Sequence, residues 1–237
     1  MTSLVLPSAG PDPLPLDTAV AAVLGYARGR RPLYFRAPNA RTGRWVSLPA
    51  FGYERFDVAR LPDGPLGEAD ILAAEGLHGR LDPAAWAALK DRLADVAPLH
   101  EAVIERAAGR RFEELPDDEF SVLAEPGTVG ALLREIGGHH HVAAALHHRR
   151  PDLFPLLVRT TRWQLLPHVR EGDSGMEAVI HRELVANADG FAALQRALAP
   201  HGVELTVLRL HDVLLWLSGS LRLTPAVALG RDDALPR

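Results

Sequence analysis

The chain has 237 residues and a formal net charge of −4, which excludes a protein that coats nucleic acid non-specifically, because that needs dense positive charge; a local basic patch stays open. With no cysteine, disulfides, thiolate nucleophiles, cysteine-ligated zinc and iron–sulfur clusters are all excluded. Hydrophobic residues at 47% and charged ones at 24% are ordinary for a globular chain, apolar runs such as Val213 to Leu217 are too short to span a bilayer, and no signal-peptide pattern opens the chain; a soluble, cytoplasmic protein with one domain and no membrane partner is expected.

Residues 1–15 carry four prolines and little hydrophobic pattern, and read as a loose tail. Asp17 then looks like the N-cap of a helix over Thr18 to Arg28, with Val20, Val23 and Leu24 on one face and Gly25 weakening its end. In "PLYFRAPNARTGRWVSLPAFGYERF", aromatic and β-branched residues flank a turn-forming "NARTG", which predicts a small β-hairpin over 33–48 and an aromatic-rich loop after it. From Gly67 the pattern is helical. "GEADILAAEGLHG" ends on a glycine stop, and "LDPAAWAALKDRLADVAP" opens on Asp82 and Pro83 and closes before Pro98. "LHEAVIERAAG", "LPDDEFSVLA" and "GTVGALLREIGG" follow, then, after residues 137–166, "SGMEAVIHRELVANADGFAALQRALAPHG" and "VELTVLRLHDVLLWLSGSLRL". In the last of these Val207, Leu210, Val213, Leu214, Leu217 and Leu221 recur at spacings of three and four, a face that should bury. Residues 225–237 read as a frayed tail. The fold expected is mainly α, a single helical domain over 16–224 of about eight helices with a small N-terminal β-hairpin.

The stretch "GGHHHVAAALHHRRPDLFPLLVRTTRWQLL", from Gly137 to Leu166, concentrates the candidate chemistry. Five of the eleven histidines lie between His139 and His148, which raises the question of a metal. Helical spacing argues against one: His140 with His147, and His141 with His148, share faces but sit roughly 10.5 Å apart along the axis. No metal and no cofactor is expected, and the histidines are read as loop and helix-start residues able to meet phosphate when protonated below about pH 6.5. Gly137 and Gly138 end one helix just before another begins, so the N–H groups at the second helix start point outward, where they can hold a phosphate. An ordinary glycine C-cap explains the pair equally well. Arg149 and Arg150 suit the negative end of the second helix, Pro151 stops it, Asp152 can cap the next turn, and "LFPLLV" is a buried connector to a helix from about Thr160.

"IGGHHHVAAALHHRRPDLFPLLVRTTRWQLL" and "LRLHDVLLWL" are similar to the two signature stretches of a bacterial, largely actinobacterial, family of unknown function. Its members usually read like "G-I-G-x-V-T-A-S-K-L-L-x-R-K-R-P-x-L-I-P-x-Y-D-x-V-V" and, near the C-terminus, "L-R-x-L-D-V-x-x-W-M". The likeness runs from about Gly52 to Leu223. The first stretch in turn resembles the helix-hairpin-helix core of base-excision DNA glycosylases. There a glycine hairpin grips the DNA backbone, and an aspartate after an apolar connector stabilises the cationic transition state at the sugar of a flipped nucleotide. Lyase-type members add a lysine that forms a Schiff base. Matched through Arg149, Arg150 and Pro151, Val158 stands at the aspartate position and Ala144 at the family's lysine. Asp212 and Trp216 match the Asp and Trp of the second signature, and beside Arg209 and Arg222 they read as a structural ion pair and a core aromatic.

The resemblance implies a non-catalytic, helix-hairpin-helix-like protein that contacts a nucleic-acid backbone through Gly137, Gly138, His139, His140, His141 and Arg149, flanked by Arg159 and Arg162. One alternative is a scaffold with a protein partner, favoured if Phe51, Tyr53 and Phe56 form an exposed patch. Another is a glycosylase-like base-excision enzyme with a relocated carboxylate, which requires Asp152, Glu183 or Asp212 to face a cleft.

Overall fold

A computed structural model describes residues 3–60 and 64–232. The outermost residues of both expected tails, 1–2 and 233–237, lie outside the described ones.

The N-terminal segment departs from expectation. Strands β1 (Ser3–Leu4) and β2 (Leu14–Pro15) pair antiparallel, and Leu4 and Leu6 are buried. Asn187 accepts from the Val5 N–H at 2.7 Å and donates to the Val5 carbonyl at 2.8 Å; Ser8 donates to Glu183 from its N–H at 2.9 Å and its hydroxyl at 2.7 Å. Residues 3–15 are therefore docked and not a loose tail, since two buried leucines and these bonds offset the entropy of ordering the segment.

Helix α1 (Leu16–Arg28) opens after Pro15, so Asp17 sits inside the first turn instead of capping it. Strands β3 (Arg30–Phe35) and β4 (Arg44–Pro49) pair from Arg30 opposite Pro49 to Phe35 opposite Arg44, a slightly longer hairpin than 33–48. After α2 (Glu68–His78), α3 (Pro83–Ala107) runs straight through Pro98, where a break was expected. Its buried positions Leu89, Leu93, Val96, His100, Val103 and Ala107 keep one unbroken stripe, and Pro98 falls on the exposed side. Tertiary burial thus outweighs the lost backbone bond. "LPDDEFSVLA" is not an α-helix: it forms a 3₁₀ turn over Asp117–Phe120 behind Pro116.

Then come α4 (Val129–Ile136), capped by Thr128 accepting from Ala131 N at 3.1 Å, α5 (His140–Arg149) and α6 (Arg159–Leu165). The segment after Gly175 breaks at Asn187 into α7 (Met176–Ala186) and α8 (Ala188–Leu198). Helix α9 (Val207–Gly219) is buried on nearly every side, and α10 (Leu223–Arg231) follows it. Leu221, assigned to the apolar face of α9, instead lies past its end at φ 57° and is 88% exposed. The mainly α reading holds, with ten α-helices among the described residues against about eight expected.

Residues 223–231 are a packed helix, not frayed chain. A Cβ on Gly25 would lie 1.8 Å from the Ala226 carbonyl oxygen, and one on Gly230 would lie 1.8 Å from that of Ala21. Glycine lets α1 and α10 touch backbone to backbone, so Gly25 is a packing device and not a helix weakness. No single helix among the described residues is long and apolar enough to cross a membrane.

Candidate functional site

The two signature stretches meet. Arg209, Asp212 and Trp216 from α9 and His140, Val158 and Arg159 from the first stretch line one cavity of about 380 Å³, closed by Tyr26, Phe51, Arg55 and His78. A larger depression of about 870 Å³ lies between residues 3–7 and α7–α8. Of its two arginines, Arg170 and Arg182, the second is engaged by Asp173 at 2.7 Å, and of the carboxylates weighed from sequence the depression holds only Glu183. The smaller cavity is the candidate site because it gathers both stretches.

At its base Arg209 is enclosed by acids and rings. Its Nε donates to Asp57 at 2.5 Å, its Nη2 to the Tyr26 hydroxyl at 2.9 Å, and its Nη1 to Asp212. Tyr26 in turn donates to Asp57 at 2.5 Å. The guanidinium lies 5.8 Å from the Tyr26 ring centre and 5.4 Å from that of Phe56, a cation between two aromatic faces. Burial pushes the Asp212 carboxyl up to about 6 despite the opposing charge of Arg209. Burial likewise raises the Tyr26 phenol well above its ordinary range. The wall is aromatic: Phe51 stacks on Tyr26 at 5.7 Å and meets Trp216 edge-on at 5.9 Å, and Arg222 covers Trp216 at 5.4 Å. Such a site can hold a planar group and present one carboxyl poised near neutrality; Val158, at the aspartate position, supplies no chemistry.

At the mouth the α4–α5 turn is sharp because Gly137 has φ 58°, a conformation a side chain would strain. Arg162 reaches back over that turn: its Nη1 lies 3.5 Å from the place of a Cβ on Gly138. Gly138, His140, Arg159 and Arg162 line a second depression of about 380 Å³ with Trp163 and Leu166, which are 67% and 54% exposed. Gly137 and His139 are exposed on the turn beside it. His141 faces away, its Nε2 3.3 Å from the Gly79 carbonyl oxygen. Arg149 sits at the far end of α5, where it binds the buried carboxylate of Asp70 and donates to the Gly64 carbonyl at 2.8 Å. The structure thus brings four of the eight expected contact residues into one groove, sets two beside it, and turns His141 and Arg149 elsewhere.

The histidines divide by burial. His147 is buried, with Nδ1 donating to the Phe154 carbonyl at 2.6 Å, and burial pushes its pKa down to about 3. His148 meets the Ala59 carbonyl at 3.3 Å. His140 and His141 instead approach His78 from α2, at ring-centre distances of 5.9 and 5.2 Å. Burial and its two neighbours push His78 down to about 4, and burial followed by the Arg162 charge lowers His140. Among the described residues no group of three or more potential ligands is arranged to hold a metal ion.

Of the three carboxylates weighed from sequence, Asp152 pairs with Arg150 at 2.9 Å. Glu183 is buried; burial alone would raise its pKa, but bonds from His211 at 2.7 Å and from Ser8 hold it below the usual value. Asp212 alone of these three lines the cavity. Phe51 and Phe56 are buried, at 7% and 1% exposure, so the aromatic loop packs inward and offers no patch there. Sequence reasoning missed Tyr26, Asp57 and His78. An aspartate between Phe56 and Val58 was the one local hint, an acid inside an apolar run.

A family model described as a family of unknown function, DUF6308, matches residues 34–219. No curated protein and no solved structure is significantly similar to the chain.

Proposed function

The chain belongs to the DUF6308 family of unknown function, and we propose that it is a non-catalytic nucleic-acid-binding protein that grips the sugar–phosphate backbone at the α4–α5 turn, in the manner of a helix-hairpin-helix element. The observation that carries this reading is the groove shared by Gly138, His140, Arg159 and Arg162. Two guanidiniums suit the bidentate geometry of phosphate, and the first-turn N–H groups of α5 begin at the same turn. Trp163 and Leu166 add an exposed apolar wall for a sugar or base. With its pKa lowered, His140 enters neutral at pH 7, so the groove's charge comes from the arginines.

The test is fluorescence anisotropy with matched, abasic-site and single-stranded DNA at two salt concentrations. Arg159→Ala with Arg162→Ala should weaken binding and reduce the slope of log K against log salt by roughly 2 for duplex. Absent or salt-independent binding to every probe would overturn the reading.

A second reading, glycosylase-like base excision, is favoured by one observation: Asp212 lines the cavity with its carboxyl near 6. It requires base release that Asp212→Asn abolishes while duplex affinity is unchanged. Intact damaged oligonucleotides after prolonged incubation between pH 5 and 8 would dismiss it.

A further inference from the structure

The β3–β4 hairpin lies outside both depressions and has no part in the proposal above. Residues 29–52 hold five arginines, Arg30, Arg31, Arg36, Arg41 and Arg44, and no aspartate or glutamate, in a chain whose net charge is −4. Every residue of β3 is exposed. Arg30 is anchored to Glu54, and Arg36 donates to the Ala40 carbonyl within its own turn at 2.9 Å. No carboxylate among the described residues pairs with Arg31, Arg41 or Arg44.

The same arm exposes large rings. Tyr34, Phe35 and Trp45 are 50%, 51% and 69% exposed. Part of this has an internal use: Tyr34 and Trp45 are a cross-strand pair at 5.3 Å, and the Tyr34 hydroxyl accepts from the Gly43 N–H at 2.9 Å, which supports a two-stranded ribbon that is marginal alone. Trp45 nonetheless stays 69% exposed. Phe35, opposite Arg44 on the other face, has no such partner ring across the ladder.

Two unpaired guanidiniums, Arg31 and Arg44, on one face with the exposed ring of Phe35 fit a polyanion whose rings are free to stack. A single strand offers phosphates and unstacked base faces together, whereas a duplex keeps its base faces occupied. We propose that the β3–β4 arm is a single-stranded nucleic-acid-binding element, with Arg31, Arg41 and Arg44 on phosphates and Phe35, on the same face of the ladder as Arg31 and Arg44, stacking on a base. The arm runs into Ala50, Phe51 and Gly52, which border the cavity, so a strand held on it is led to the site. This inference stands without the α4–α5 groove.

The experiment uses the full chain and fluorescein-labelled oligo(dT) of 20 nucleotides, with a blunt duplex of equal length beside it, in low and moderate salt. Two variants are compared with the parent: Arg31→Glu with Arg41→Glu and Arg44→Glu, and Phe35→Ala alone. All altered side chains are exposed, and circular dichroism checks the fold. Oligo(dT) binding is expected to weaken at least tenfold in the triple variant and about 5- to 100-fold in Phe35→Ala. Unchanged oligo(dT) affinity in both variants overturns the inference, as do failure of the parent to bind oligo(dT) in low salt and a change in oligomeric state alone, which would make the arm a contact between copies. Arg159→Ala with Arg162→Ala, run in parallel, separates the two surfaces: its loss of duplex binding beside an unaffected arm variant would uphold the groove and discard the arm, and the converse would do the reverse.

Discussion

Arg209 on α9 donates through Nε to Asp57, 152 residues earlier in the chain, at 2.5 Å. That bond ties the loop after the hairpin to the central helix, and Asp212 and Tyr26 share the same guanidinium. Removing the cation strands two buried carboxylates. Arg209→Met should therefore destabilise the fold by about 3–5 kcal/mol, in the range for breaking one side of a buried pair. Equilibrium urea unfolding reads this directly; a loss below about 1 kcal/mol would mean that the cluster is solvated in solution.

The pH dependence of stability follows from opposing shifts. His78 and His147 are held down to about 4 and about 3 by burial, and His100, His140, His148 and His181 are lowered for the same first reason. Between pH 6.5 and these values the unfolded chain binds more protons, so stability falls as pH falls through that window. Asp212, raised to about 6, works the other way, contributing stability below the ordinary carboxylate range that is lost as pH rises through about 6. One fully buried group is worth about 1.4 kcal/mol per pH unit in its window, so six histidines against Asp212 and the two other raised carboxyls, Glu113 and Glu177, give net acid lability. His147→Phe should flatten the decline between pH 6.5 and 4 by about 1.4 kcal/mol per unit while costing about 1–3 kcal/mol at pH 7 for the Phe154 carbonyl left unbonded. An unchanged slope would place the protonating group elsewhere.

Gly25→Ala offers a test in which the sign decides. In an exposed helix the substitution would stabilise by about 1 kcal/mol. Here the new methyl meets the Ala226 carbonyl oxygen at 1.8 Å, so α1 and α10 must separate. The expected result is destabilisation, with a lower thermal midpoint and faster hydrogen exchange in α10. A raised midpoint would show that the close crossing does not persist in solution.

What the sequence made legible was local. The glycine pair did mark a sharp turn, because φ 58° at Gly137 is a requirement of that residue alone, and the three-four spacing of α9 did mark a buried helix. What it hid was long-range. Nothing near Gly25 announces a helix arriving some 200 residues later, and nothing near Arg149 announces that Asp70 will hold it. At the site, Gly138, His140, Arg159 and Arg162 were readable as neighbours of one motif, whereas Tyr26 and His78 reach the cavity, and Asp57 the Arg209 guanidinium at its base, only through tertiary packing. Pro98 misled for the same reason, since its local cost is overridden by the stripe that α3 buries on either side.

The N-terminal segment gives the last prediction. Asn187, buried between α7 and α8, brackets Val5 with an acceptor at 2.7 Å and a donor at 2.8 Å, imitating the pairing of a neighbouring strand. A second tie, Ser8 to Glu183, follows three residues on. Asn187→Ala removes the first tie and leaves the second, and Val5 is 55% exposed, so water can take over its backbone groups. The segment should then open on its own. Hydrogen exchange of the Val5 amide is expected to accelerate at least tenfold while amides within α9 keep their protection, because a local opening does not require the central helix to unfold. Equal loss of protection in α9 would mean that residues 3–15 and the core unfold as one unit, and that Asn187 helps to hold the whole helical assembly together.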